Sequence, residues 1–169
     1  MSSSLEKTGV PSMEELEKSH GFPSRERLMK GPVAVIECLQ EIPCNPCVKA
    51  CPLGAIKVET LISLPELDEN KCVGCGSCIP NCPGLAIFLV DYNFSEDEAL
   101  ISFPYEFLPS PEVGSIVDAT DRSGKAITKG RVIKVLKNKK YDNTEIISIA
   151  VLKKYANEVR GIAIPKGGK

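Results

Sequence analysis

The sequence predicts an α+β fold in two unequal parts: a cysteine-rich module of short helices and hairpins, then a small SH3-like β-barrel. Three observations carry this. All eight cysteines fall between Cys38 and Cys82. Within that span Cys44-Asn-Pro-Cys47-Val-Lys-Ala-Cys51-Pro52-Leu-Gly-Ala-Ile56 parallels Cys75-Gly-Ser-Cys78-Ile-Pro-Asn-Cys82-Pro83-Gly-Leu-Ala-Ile87, the copies offset by 31 residues, so the module is an internal near-repeat. The cysteine-free remainder reads as four or five short strands separated by turn residues. Charge divides the chain at the same place. Residues 1–110 hold 16 acidic and 8 basic residues, net −8, whereas residues 111–169 hold 6 and 13, net +7, beneath an overall charge of −1. The divide near Pro104 to Pro111 predicts three regions: an arm over 1–30, the cysteine module over 31–106 and the barrel over 107–169.

The elements follow from local signals. Residues 1–30 are polar, and two helix starts are marked by Ser12 with Glu15 three residues on, a capping box, and by Ser24 before Arg25-Glu26-Arg27-Leu28. With too few apolar residues for a core of its own, this arm is expected to wrap a surface. The β-branched run within 31–37 predicts a strand entering the cysteine region. Each repeat ends in a strand start, Ala55 to Glu59 and Ala86 to Tyr92, and the second turns at Asn93 to Asp97 and returns through Ala99 to Phe103 as a hairpin. Phe88, Tyr92, Phe94, Phe103, Tyr105 and Phe107 lie on or just after this hairpin at period two and are expected in a core between the modules. Strands are then predicted at Gly114 to Thr120, Gly130 to Leu136, Glu145 to Leu152 and Glu158 to Ile164, with a single helical turn at Lys153 to Asn157.

Several function classes are excluded at this level. The longest apolar run, Leu85 to Val90, is six residues, far below the about 20 that a spanning helix needs. The N-terminus shows neither a basic start nor an apolar stretch of the secretory kind, so the thiols are expected in a reducing compartment, the cytoplasm. Plentiful clustered thiols there point to metal.

Cys72, Cys75, Cys78 and Cys82 follow C-x2-C-x2-C-x3-C-P without deviation. That is the spacing of bacterial two-cluster ferredoxins, in which the fourth cysteine of each run ligates the other cluster. Three thiolates on a tight loop each reach one iron of a cubane, the fourth lies a helical turn away, and the proline steers the chain out of the site. Gly74 and Gly76 let the backbone curl around the inorganic core. The first copy departs from the pattern: Cys38 leads Cys44, Cys47 and Cys51-Pro52 with a gap three residues longer, an insertion that costs little closure entropy. By the crossing rule, Cys38, Cys44, Cys47 and Cys82 are expected to hold one [4Fe-4S] cluster, and Cys51, Cys72, Cys75 and Cys78 the other. Were Cys38 not a ligand, the first site would have three thiolates and suit a [3Fe-4S] cluster. Structural zinc is the competing reading, but two sets of three closely spaced cysteines plus a distant fourth match cubane ligation better.

No catalytic constellation accompanies the thiols. His20 is the only histidine and lies in the polar arm. Glu96, Asp97 and Glu98 form a run at the hairpin tip, read as a solvated turn, and Gly74-x-Gly76 lacks the third glycine of a dinucleotide loop. From Arg122 to Lys140 the chain carries eight basic residues and no acid. A redox-sensing nucleic-acid-binding protein would use such a stretch. No aromatic residue interrupts it to stack a base, however, and the lysines alternate with Val132, Ile133, Val135 and Leu136 as outward strand residues do, which argues against nucleic acid. Each cluster with its four thiolates is a net anion, so the acidic module is more negative than its side chains alone make it.

Residues 38–91 resemble the two-[4Fe-4S] ferredoxin domains through these motifs and the lead-in Leu67-Asp-Glu-Asn-Lys-Cys72. The lead-in Lys30-Gly-Pro-Val-Ala-Val-Ile-Glu-Cys38, the widened first gap and the β-rich tail are similar to the small iron–sulfur subunits of flavin-dependent dehydrogenases of amines or amino acids, of the proline dehydrogenase type. That resemblance implies a ferredoxin-like module carrying two [4Fe-4S] clusters and relaying single electrons between a flavoprotein subunit and an acceptor, which can be a further iron–sulfur subunit. The arm would dock and the barrel assemble the complex. A free, diffusible ferredoxin is the alternative, against which the arm and tail argue, because a shuttle needs only the cluster module.

Overall fold

Capping decides where the N-terminal helices begin. The computed structural model describes residues 3–164, and in it three one-turn helices, α1 (Ser4–Thr8), α2 (Met13–Glu17) and α3 (Arg25–Leu28), each start behind a serine whose hydroxyl accepts a backbone N–H. Ser12 and Glu15 form the expected capping box. The only buried residues of these helices are Leu16 and Leu28, so backbone and side-chain ties hold the arm down. Ile36 N–H donates to the Gly21 carbonyl, Leu67 N–H to the His20 carbonyl, and Ser24 donates through N and Oγ to the Glu69 carboxylate. A Cβ on Gly21 would stand 2.9 Å from the Ile36 carbonyl oxygen, so only glycine lets the arm lie this close.

Nine strands follow: β1 (Val33–Ile36), β2 (Ile56–Lys57), β3 (Glu66–Leu67), β4 (Ile87–Asp91), β5 (Glu98–Tyr105), β6 (Ile116–Thr120), β7 (Ala126–Leu136), β8 (Glu145–Leu152) and β9 (Gly161–Ile162). A fourth helix, α4 (Pro46–Ala50), and a 3-10 turn (Ile79–Asn81) fall at equivalent places in the two repeats. β2 and β3 pair alone. The other seven form one antiparallel sheet in the order β1-β4-β5-β8-β7-β6-β9.

The SH3-like barrel expected over residues 107–169 is not what the chain builds. Among the described residues no barrel closes; β6 to β9 extend the sheet that starts in the cysteine module. The reason is the pairing of β5 with β8, in register over all eight residues from Glu98–Leu152 to Tyr105–Glu145. Once β8 is taken by β5 on one side and β7 on the other, the C-terminal strands have no edge with which to close on themselves, and β9 pairs only two residues with β6. The change of composition near Pro104 to Pro111 is therefore not a break in the sheet.

Period-two alternation gives the sheet two different faces. Val33, Val35, Phe88, Val90, Ile101, Phe103, Tyr105, Ile147 and Ile149 point into the larger core, with Ala119, Val132 and Ile162 from the far strands. Their neighbours Ala34, Ile36, Ile87 and Ile146 point the other way, onto Ile56, Ile79 and the cysteine loops. Residues of β1, β6 and β9 share the first core, so the sheet curls until its two ends approach. Charge spans the remaining gap. Arg122 donates twice to the Glu37 carboxylate at 2.7 Å and Arg160 Nε donates at 2.5 Å, with the three side chains only 3 to 10% exposed. Burial alone would raise the Glu37 carboxyl, but Arg160 and Arg122 more than offset this and hold it below the usual carboxylate range.

Candidate metal centre

The two repeats fold alike down to single hydrogen bonds. Val48 N–H donates to the Asn45 carbonyl as Ile79 N–H does to Gly76, Cys51 N–H to Val48 as Cys82 to Ile79, and Gly54 N–H to Cys51 as Leu85 to Cys82. Each unit then turns through a left-handed residue, Gly54 at φ 61° and Leu85 at φ 52°. The next N–H reaches back to sulfur: Ala55 N to Cys51 Sγ at 3.2 Å and Ala86 N to Cys82 Sγ at 3.4 Å. A third such donor comes from β1, Ala34 N to Cys72 Sγ at 3.4 Å. N–H groups aimed at sulfur stabilise negative charge there, as thiolates and a bound cluster require.

None of the eight cysteines is in a disulfide. Cys38, Cys44, Cys47 and Cys82 line one cavity, walled by Ile36, Ile42, Ile87 and Pro83. Cys51, Cys72, Cys75 and Cys78 line a second, walled by Ala34, Ala55, Ile56, Leu67 and Leu89. The fourth thiol of each group thus comes from the other repeat. The crossing follows from the tight turn after each third cysteine, which carries Cys51 and Cys82 out of their own loops. Burial pushes the Cys47 thiol up to about 11, with Cys82 and Cys44 adding to the effect, and the Cys78 thiol up to about 12, with Cys72 and Cys75 adding. Cys38 is raised likewise, by burial and then by Cys82. Thiols so placed keep their protons at neutral pH until metal displaces them.

Among the described residues no three Cys, His, Asp or Glu side chains converge as the shell of a single ion. Each group of four thiols lines a cavity, a donor set that suits a [4Fe-4S] cluster. Gly74 and Gly76, at φ 69° and 75°, turn the second loop, and a Cβ on Gly74 would stand 2.6 Å from Pro32 Cβ and carbonyl oxygen. Cys78 is buried and Cys75 exposed, so the second group has one thiol at the surface.

The other features singled out in the sequence lie apart from the thiols. His20 is exposed beside a groove of about 970 Å³ that runs between the arm and the 153–157 turn. Within the Arg122 to Lys140 stretch, Arg122 pairs with Glu37, Lys129 with Asp118, Arg131 with Glu98 and Lys137 with Glu145, so half of its eight basic residues are paired inside the chain. Sequence reasoning missed the backbone donors Ala34, Ala55 and Ala86. The repeated Ala-Ile after each Cys-Pro held a signal for the last two.

Residues 42–86 match the family model of the 4Fe-4S dicluster domain. A subunit of an ion-translocating oxidoreductase complex from Methanosarcina acetivorans is 46% identical over 48 residues, 28% of this chain and 17% of that protein. The polyferredoxin-like subunit of an aliphatic sulfonate oxidoreductase from Pyrococcus furiosus is 43% identical over 47 residues, covering 28% and 27% respectively. Protein Pixie from Drosophila melanogaster is 29% identical over 135 residues, 71% of this chain and 19% of that protein. The chain spans less than a third of the length of these relatives. No solved structure matches it significantly. The cysteine module is a 4Fe-4S ferredoxin domain, and its cofactors are two [4Fe-4S] clusters. Among the described residues no helix is long and apolar enough to cross a membrane.

Proposed function

We propose that this chain is the electron-transfer subunit of an oxidoreductase complex, with Cys38, Cys44, Cys47 and Cys82 holding one cluster and Cys51, Cys72, Cys75 and Cys78 the other. The observation that carries it is the division of eight thiols around two cavities, each completed by a cysteine of the other repeat. Bound there, the clusters supply one-electron donor and acceptor chemistry. The chain's own residues supply the rest. Ala34, Ala55 and Ala86 donate N–H groups to ligand sulfurs, and Ile36, Ile56, Ile79 and Ile87 keep water from the inner faces. Four cysteines for each cluster would leave no iron position open for substrate, which places the substrate on another chain.

The partner we propose is a flavoprotein dehydrogenase subunit, of the kind the resemblance to the small subunits of amine or amino-acid dehydrogenases implies. Residues 107–169 supply an assembly surface, supported by the exposed apolar side chains of Phe107, Leu108, Val113 and Ile116. A reducing cytoplasmic setting suits the free thiols. Anaerobic iron and sulfide analysis with EPR of the reduced protein tests the site: about eight irons per chain and two interacting spin systems are expected, and zinc without acid-labile sulfide would overturn it. Native size exclusion tests the subunit reading, which elution alone near 18 kDa with intact clusters would refute.

A further inference from the structure

One cation of the arm is built into the second thiol group. Arg27, on α3, donates Nε to the Glu69 carbonyl at 2.9 Å, Nη1 to Gly31 at 3.1 Å, and Nη2 to Pro32 at 3.0 Å and to the carbonyl of Cys72 itself at 2.7 Å. All four acceptors are neutral backbone oxygens. Among the described residues no carboxylate lies within 4.0 Å of this guanidinium, and the nearby Glu69 carboxylate is turned to Ser24. The charge is half-buried and cannot swing away, because its planar fork is satisfied on both edges. The loop it grips is equally fixed: Gly74 packs on Pro32 with no room for a Cβ, and Ala34 N–H reaches Cys72 Sγ.

We propose that Arg27 is a fixed counter-charge for the second cluster, raising that cluster's reduction potential by favouring the form that has gained an electron. The sign follows from Coulomb attraction: the site becomes one unit more negative on reduction, and an uncompensated cation beside a ligand backbone stabilises that state in a medium less polar than water. Among the described residues no arginine donates to the backbone carbonyl of a cysteine in the first group; Arg122 and Arg160 are instead held on the carboxylate of Glu37, the residue before Cys38. Arg27 is a positioning residue that touches no iron, and it makes the arm part of the redox site. The inference rests on the two-cluster division proposed above.

The test is an EPR-monitored potentiometric titration of the full chain. Wild type comes first: fewer than two one-electron couples would defeat the two-cluster reading before Arg27 is touched. In Arg27→Gln, with both clusters present, one couple is expected to fall by at least a tenfold change in its reduced-to-oxidised ratio, about 59 mV, and the other by less than half of that. Arg27→Lys keeps the charge and is expected to lose less than half as much as Gln does. Two intact clusters with neither couple falling in Arg27→Gln, or both falling equally, would overturn the proposal. If Arg27→Gln fails to hold both clusters, Arg27→Lys decides alone: a fall of about 59 mV or more overturns the counter-charge and a smaller fall supports it.

Discussion

Glu37→Gln is the substitution that most directly probes how the curled sheet is held. The wild-type carboxylate accepts three charge-assisted hydrogen bonds of 2.5 to 2.7 Å from Arg122 and Arg160. Its side chain is 6% exposed, so water cannot replace it. The amide removes the only negative charge of the triad and leaves two arginines facing each other in the interior. Breaking a buried pair this way costs about 3–5 kcal/mol. At about 2–4 °C per kcal/mol for a chain of this size, the loss is on the order of 6–20 °C in Tm. Far-UV circular dichroism of the cluster-loaded protein, by heating and by urea, measures it. Replacing all three residues together, Glu37→Leu with Arg122→Leu and Arg160→Met, is expected to cost less than Glu37→Gln, because no charge is left unpaired. A loss below about 1 kcal/mol in Glu37→Gln, the scale of an exposed pair, would show that the triad does not close the gap between the sheet ends.

The same carboxylate fixes a pH dependence. Its folded value is depressed, so its contribution is complete above the unfolded value of 4.5 and is lost as pH falls through the folded one; urea midpoints of wild type and Glu37→Gln should converge below that pH and stay apart above it. Cys38→Ala should abolish one cluster and spare the other, and iron analysis that still returns the wild-type count would show Cys38 is no ligand. Gly74→Ala forces a Cβ to within 2.6 Å of Pro32 and should deplete the second cluster selectively, measured as iron content and as EPR with a single spin system. Gly54→Ala places a side chain at φ 61° and should cost about 1–2 kcal/mol in urea unfolding; no loss would mean the first turn relaxes where the second, with Leu85, does not.

What could be read from the sequence was whatever local spacing encodes. The capping box at Ser12 and Glu15, the strand over Glu145 to Leu152 and the hairpin through Ala99 to Phe103 all appear where period and punctuation put them. The repeat was legible because cubane chemistry constrains the interval between cysteines, and the structure keeps the 31-residue offset down to Ala55 and Ala86. The barrel failed for a different reason. Whether β8 pairs with β5 or with a later strand is a contest between partners of similar apolar character, and no local pattern decides it. Glu37, Arg122 and Arg160 are ordinary charged residues 85 and 123 positions apart, joined only by the curl of the sheet. Arg27 was equally silent, since its four acceptors are backbone atoms.

The eight-residue seam between β5 and β8 limits how the cysteine module can be excised or transplanted. A fragment ending at residue 106 would keep every cysteine yet uncover one whole edge of β5, with Ala99, Ile101 and Phe103 stripped of their cover from Ile147, Ile149 and Val151. Such a flat apolar edge recruits other chains. Grafting this two-cluster module onto another protein therefore means taking the basic half with it, and a new partner would best be fused beyond β9 rather than at the change in composition.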